Sequence, residues 1–241
     1  MLTVKGKHAV LEAVKSDAKI DRILVDHKLQ QDQEIQYIVR LAHSKKIKTQ
    51  ILSSEQFAKI TNQTQTQGVF AYQHAKEAPQ LESILANPAD YPFIVVVDHI
   101  EDPYNFGAII RTCEALGVNA ILYPKDRNCQ FTPGVLKVAS GATQYIPLVK
   151  VTNLSRSLEK LKAIGFWVYS AEVHRGEKLG EIEPNFPLIL VIGNEHKGVS
   201  HGISKLIDQG INIEMFGKTE SLNVSVATGI LVYQLAMRNR R

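Results

Sequence analysis

Asn105, Gly107 and Arg111 place an amide, a glycine and a guanidinium within one short stretch, Asp102-Pro103-Tyr104-Asn105-Phe106-Gly107-Ala108-Ile109-Ile110-Arg111. An amide both donates and accepts hydrogen bonds, and a guanidinium offers a fixed fork of donors that matches phosphate. Between a strand-like and a helix-like run, the stretch opens like a nucleotide-binding turn. A dinucleotide-binding turn would carry G-x-G-x-x-G, and only Gly107 is present here. Asn105 and Arg111 lie about 240° apart on an ideal helix. If both serve one site, Asn105 belongs in the turn before the helix, where Gly107 would let backbone approach a ligand. A capping asparagine and a solvated surface arginine explain the stretch equally well.

Two later loops carry comparable groups. Gly193-Asn194-Glu195-His196-Lys197-Gly198 follows the apolar run Leu188–Ile192. Taken alone, it reads as a tight strand-to-helix turn with glycine for positive φ and Glu195 favouring a helix N-terminus. Ile213-Glu214-Met215-Phe216-Gly217-Lys218-Thr219-Glu220-Ser221-Leu222-Asn223-Val224-Ser225 leads into an apolar helical run through Val226, Ala227, Ile230 and Leu231. Ser221 is placed to cap that helix, which sets Asn223 and Ser225 inside its start. Polar groups buried there unpaired cost about 1–3 kcal/mol each, so they bond a neighbouring loop or face a ligand.

The elements that must position these loops follow from periodicity. Strands are predicted over residues 93–97, 119–123, 145–149, 166–170, 188–192 and 211–215, with helices over 106–116, 153–164, 199–207 and 224–238. Continuous apolar strands separated by helices imply an α/β fold with a parallel sheet covered on both faces. Ligands gather at the carboxyl ends of such strands, where all three loops fall. Residues 1–75 read as a separate small α/β unit. It has helices through Val10–Val14 and Ile35–Leu41, and a short one through Phe57 capped by Ser53 or Ser54. Its strands are Ile23–Val25, Ile47–Leu52 and Gly68–Tyr72. Residues 76–92, with three prolines around a helical turn, read as a linker, which leaves 93–241 as the second domain.

Composition bounds the function. The 241 residues are 44% hydrophobic and 22% charged, ordinary for a soluble globular chain, and the net charge of +4 permits a polyanionic partner without demanding one. Two cysteines imply no disulfide framework. The eight histidines are scattered without metal-ligand spacing, so no metal site is expected. No signal peptide or membrane-length apolar run is read, and the expected location is cytoplasmic.

In order and spacing, Asn105-x-Gly107-x-x-x-Arg111, Gly193-x-Glu195-x-x-Gly198 and Ser221-Leu222-Asn223-Val224-Ser225-Val226-Ala227 resemble the three motifs of the SpoU (TrmH-like) branch of SPOUT RNA methyltransferases. Gly6-Lys7-His8-Ala9-Val10 and Gln67-Gly68-Val69-Phe70-Ala71 resemble that family's L30e-like substrate-binding domain. The two-domain form is most similar to the ribosomal RNA (guanosine-2'-O)-methyltransferases of the RlmB type. The resemblance implies a C-terminal domain with a deep trefoil knot, working as a homodimer. It implies methyl transfer from S-adenosylmethionine to a ribose 2'-hydroxyl of 23S rRNA, free or in an assembling large subunit.

Carried over residue by residue, it places Arg111, Asn105, Glu195, Ser221 and Asn223 at the reacting hydroxyl, and Gly193, Ile213, Leu222, Asn194 and Met215 at the cofactor. Lys5, Lys7, Lys125, Arg127 and Lys137 are the expected RNA contacts, although each lysine alone also reads as solvated surface charge. Relatives usually carry proline where this chain has Glu214. A transfer RNA ribose methyltransferase of the same branch and a non-catalytic RNA binder are the competing readings. A nicotinamide oxidoreductase is disfavoured by the missing glycines and by the lack of an acid ending the second strand.

Overall fold

A computed structural model describes residues 2–16, 18–62, 66–74, 79–126, 128–173, 175–194 and 197–239. Glu195 and Arg127 lie outside the described residues, as do residues 75–78 at the start of the expected linker. The chain divides into two units, Met1–Glu77 and Ala78–Arg241.

The N-terminal unit contains β1 (Leu2–Lys5), α1 (Lys7–Lys15), β2 (Ile20–Asp26), α2 (Gln33–Ser44), β3 (Lys48–Leu52), α3 (Ser54–Thr61) and β4 (Val69–Gln73). Its sheet runs β1-β4-β2-β3, with β4 antiparallel to both neighbours and β2 parallel to β3. The apolar stripe of α2, Ile35, Ile38 and Ala42, packs with Val10 and Val14 of α1 over Ile23, Val25 and Val69. Ser53 and Gln56 form a capping box that starts α3. β1, absent from the expected elements, is defined by its pairing to β4, which local periodicity does not reveal.

The second unit contains α4 (Leu81–Ala86), β5 (Phe93–Val97), α5 (Pro103–Ala115), β6 (Ala120–Pro124), α6 (Pro133–Ala139), β7 (Leu148–Val151), α7 (Leu154–Ala163), β8 (Trp167–Glu172), β9 (Glu177–Lys178), β10 (Leu188–Ile192), α8 (His201–Ser204), β11 (Gln209–Asn212) and α9 (Val224–Asn239). Its sheet order is β7-β6-β5-β10-β8-β11-β9, and every pairing is parallel. Alternate residues of β5 face opposite layers. Phe93, Val95 and Val97 pack with α5, α6 and α9. Ile94 and Val96 pack with α4, α7 and α8. Leu81 and Ile84 of α4 are buried in that second layer, so this part of the expected linker is core. Strand order changes direction between β5 and β10, the place where an open parallel sheet presents a ligand crevice.

Several elements of this unit differ from the periodicity reading. β11 ends at Asn212, so Ile213 and Met215 leave the sheet for the loop. α8 is a single turn. α6 was not expected, because Pro133 and Gly134 mask its apolar run; Pro133 instead opens the helix at a position where its missing N–H is harmless.

Candidate active site

α5 starts earlier than its apolar pattern. Asp102 is its N-cap, accepting from the Asn105 amide N at 2.7 Å, and Pro103 is its first residue. Asn105 therefore lies inside the helix, not in the preceding turn as expected. Gly107 also serves a different purpose. It is buried, and a Cβ there would sit 2.8 Å from Val138 Cβ and 2.9 Å from the Val135 carbonyl, so it admits α6 rather than a ligand.

Asn105 and Asn223 bring two of the loops together. Asn223 Nδ2 donates to Asn105 Oδ1 at 3.0 Å. Asn223 Oδ1 accepts from the Ser225 amide at 2.9 Å and from Ser225 Oγ at 2.7 Å. Asn223, not Ser221, thus caps α9, and the Ser225 hydroxyl finds its partner there. Only an amide can do both; an aspartate would cap the helix but could not donate to Asn105. Ser221 is exposed and Leu222 half-buried beside it.

The Gly193 loop is held from two sides. Asn194 and Gly198 exchange backbone hydrogen bonds at 3.0 and 2.8 Å. A Cβ on Gly193 would lie 2.4 Å from Gly198 C and 2.6 Å from Val199 N, so this loop closes only around a glycine. Asn194 Nδ2 donates to the His99 carbonyl at 2.9 Å, and its Oδ1 accepts from Lys197 N at 3.2 Å. Both ends of the Asn194 side-chain amide thus brace the turn. Asp98, 1% exposed at the end of β5, accepts from the Ser200 amide at 2.7 Å and also pairs with His99 Nδ1. Sequence reasoning missed Asp98; its signal was an acid closing a run of five buried apolar residues.

Arg111 is exposed on α5, and no hydrogen bond or ion pair holds it among the described residues. Neither Asn105 nor Asn223 hydrogen-bonds it. It lies about 120° around the helix from Asn105. Asn105 faces the start of α9, and Thr112 on the same flank lies 3.4 Å from the position of a Cβ on Gly229. Ile213 and Met215 are half-buried. Glu214 points outward and pairs with Lys178 at 3.0 Å, raising that lysine's pKa, so it leaves the loop's apolar side intact.

Of the expected RNA contacts, Lys125 and Lys137 are exposed on the β6–α6 side. Lys5 lies 5.8 Å from the Phe70 ring centre. Lys7 is paired with Asp32 at 2.6 Å and Glu34 at 3.2 Å, so its charge is balanced within its own unit. Among the described residues no helix is long and apolar enough to cross a membrane.

The SpoU rRNA methylase family matches residues 92–233, and the RNA 2'-O ribose methyltransferase substrate-binding family matches residues 3–79. A Bacillus subtilis protein assigned to the TrmH family of tRNA/rRNA methyltransferases is 36% identical over 235 residues, covering 96% of this chain and 94% of the relative. The fold is similar to the SpoU methyltransferase AviRb of Streptomyces viridochromogenes, solved in complex with AdoMet, with TM-score 0.80 and 22% identity over 99% of this chain and 90% of that one. A TrmH-family protein of Porphyromonas gingivalis matches with TM-score 0.78 and 25% identity, covering 96% of this chain and 88% of that one. With its sheet, its paired loops and a relative this similar across nearly the whole length, the chain belongs to the SpoU (TrmH-like) family of RNA methyltransferases.

Proposed function

We propose that this protein methylates the 2'-hydroxyl of a guanosine ribose in large-subunit ribosomal RNA, with S-adenosylmethionine as donor. The observation that carries the reading is the Asn105–Asn223 hydrogen bond, which fixes the starts of α5 and α9 against each other on the helix that also carries Arg111, exposed and without a partner among the described residues. The residues fit the donor. The Gly193 loop has no side chain at its tightest point, and Ile213, Met215 and Leu222 offer half-buried apolar surface for an adenine, with loop backbone to read its edge. When bound, the cofactor supplies an electrophilic methyl group.

Arg111 is a poor base, because its guanidinium stays protonated. Its role is to grip a phosphate next to the target ribose and to stabilise the alkoxide that develops as the 2'-hydroxyl loses its proton. A substrate phosphate or water accepts that proton. Asn105 and Asn223 set the flank of the site, and the ribose and its phosphate bridge the 120° between that flank and Arg111. Much of the rate comes from holding this geometry. Ser221 and Glu195 complete the constellation.

A homodimer with a knotted C-terminal domain belongs to the same proposal. Val226, Ile230, Tyr233 and Met237 form an exposed stripe along α9, between 39% and 55% exposed, with the spacing of a helix–helix contact. Lys125 and Lys137 remain the RNA contacts; Lys7 does not, given its ion pairs.

The test is nucleoside mass spectrometry after incubating pure protein and S-adenosylmethionine with unmodified ribosomal or transfer RNA in separate reactions. 2'-O-methylguanosine with large-subunit RNA alone is the expected result. Methylation of transfer RNA alone overturns the substrate and keeps the chemistry; methylation of neither RNA overturns both.

A further inference from the structure

Phe216, 93% exposed, and Tyr104, 72% exposed, are the two most exposed large hydrophobic side chains among the described residues; the next, Tyr233, is 55% exposed. A single exposed apolar residue needs no explanation. These two, however, sit on the two segments that the Asn105–Asn223 hydrogen bond ties together. Tyr104 immediately precedes Asn105 in α5, and Phe216 lies in the loop that ends at Asn223. Other rings in this layer are engaged: Phe106, Tyr123 and Phe131 contact one another at centroid distances of 5.6 and 5.7 Å. Tyr104 and Phe216 make no ring contact or hydrogen bond among the described residues.

The face of α5 gives Tyr104 a direction. Tyr104 and Arg111 are seven residues apart, which brings them within about 20° of the same flank and about 10 Å apart along the axis. Ala108, on that flank between them, carries only a methyl group. A ring at one end and a guanidinium at the other match a nucleotide, with its base on the ring and its phosphate on the cation. We propose that Tyr104 and Phe216 are nucleobase-stacking residues, each receiving an unpaired base of the RNA at the target ribose. Stacking suits an enzyme that must expose one ribose, because unstacked bases are held on aromatic faces and every base has such a face. The exposed stripe of α9, which holds one ring, Tyr233, among aliphatic side chains, is assigned above to the subunit contact and is not part of this surface. The proposal rests on the RNA methyltransferase reading above.

The experiment uses the full chain and unmodified 23S rRNA and transfer RNA transcripts as probes, following whichever the wild type methylates. Tyr104→Leu and Phe216→Leu keep apolar bulk but remove the ring, whereas Tyr104→Phe and Phe216→Trp keep a face. Each leucine variant is expected to lose roughly 5- to 150-fold in RNA affinity, with near-normal behaviour of the aromatic variants. S-adenosylhomocysteine affinity and sedimentation should be unchanged in all four. Leucine variants that bind RNA like the wild type overturn the proposal and leave the methyltransferase reading standing. Loss of RNA binding that only tracks loss of self-association assigns these rings to a subunit contact and also overturns it. A wild type that methylates neither RNA removes the functional reading and this proposal with it.

Discussion

The residues that stand out in the two units differ in what they meet. In the N-terminal unit, conspicuous charges and amides close on one another: Lys7 on Asp32 and Glu34, Gln56 on Ser53, and Gln67 Oε1 on the Lys7 amide at 3.0 Å. In the second unit, Tyr104 and Arg111 on α5 and Phe216 in the loop before α9 are exposed, while Asn105, Asn194 and Asn223 are hydrogen-bonded. The contrast separates residues that complete the fold from exposed residues that the proposed function assigns to RNA. It also shows why motif membership is a poor guide to role. Gly107 and Asn194 fall within the motifs, yet one admits a helix and the other braces a turn.

If the contrast is right, Arg111→Lys should break function and spare the fold. The charge remains but the bidentate fork is lost, and turnover should fall about 100- to 1,000-fold. The melting temperature should stay within a degree or so of wild type, since an exposed side chain with no partner among the described residues contributes little to stability. Near-full activity in single-turnover assays would contradict the role given to Arg111.

Gly107→Ala should do the reverse. Forcing a methyl group against Val138 and the Val135 carbonyl should cost about 1–3 kcal/mol, read as a lower denaturation midpoint in urea. Asp98→Ala should come next, leaving the Ser200 amide without its acceptor at a cost of about 1–3 kcal/mol. Because that bond braces the Gly193 loop, calorimetry should also show weaker S-adenosylhomocysteine binding, an effect Gly107→Ala should not reproduce at equal destabilisation.

The smallest effect concerns the N-terminal unit. The Lys7 ammonium, followed by the Ile35 amide, holds the Asp32 carboxyl below its usual range. A carboxyl lowered by folding contributes stability above its unfolded value, about pH 4, and loses it as pH falls through the lower folded value. Thermal melts of wild type and Lys7→Met should therefore differ slightly at pH 6 and converge in strong acid. A difference that persists unchanged below the folded value would mean the pair is not its source.

Much of the fold was legible. The strands Phe93–Val97 and Leu188–Ile192 stand as expected because a continuous apolar run bounded by polar residues admits little else. The Ser53 cap was visible for the same local reason. What depended on distant partners was not. Ser221 looked like the cap of α9 until Asn105, 118 residues away, showed why Asn223 holds that place. Asn105 looked like a turn residue because nothing local distinguishes an N-cap aspartate three positions earlier from any other acid. Tyr104 and Phe216 were passed over because exposure is a property of the folded surface, not of residue type.

The most direct test of the central claim is hydrogen exchange of the whole chain with and without saturating S-adenosylhomocysteine. The loops at Gly193 and at Ile213–Leu222 should become protected, together with the first turn of α9, while the amides of β1 through β4 exchange as before. Protection confined to the N-terminal unit, or binding with no protection at either loop, would contradict the site described here.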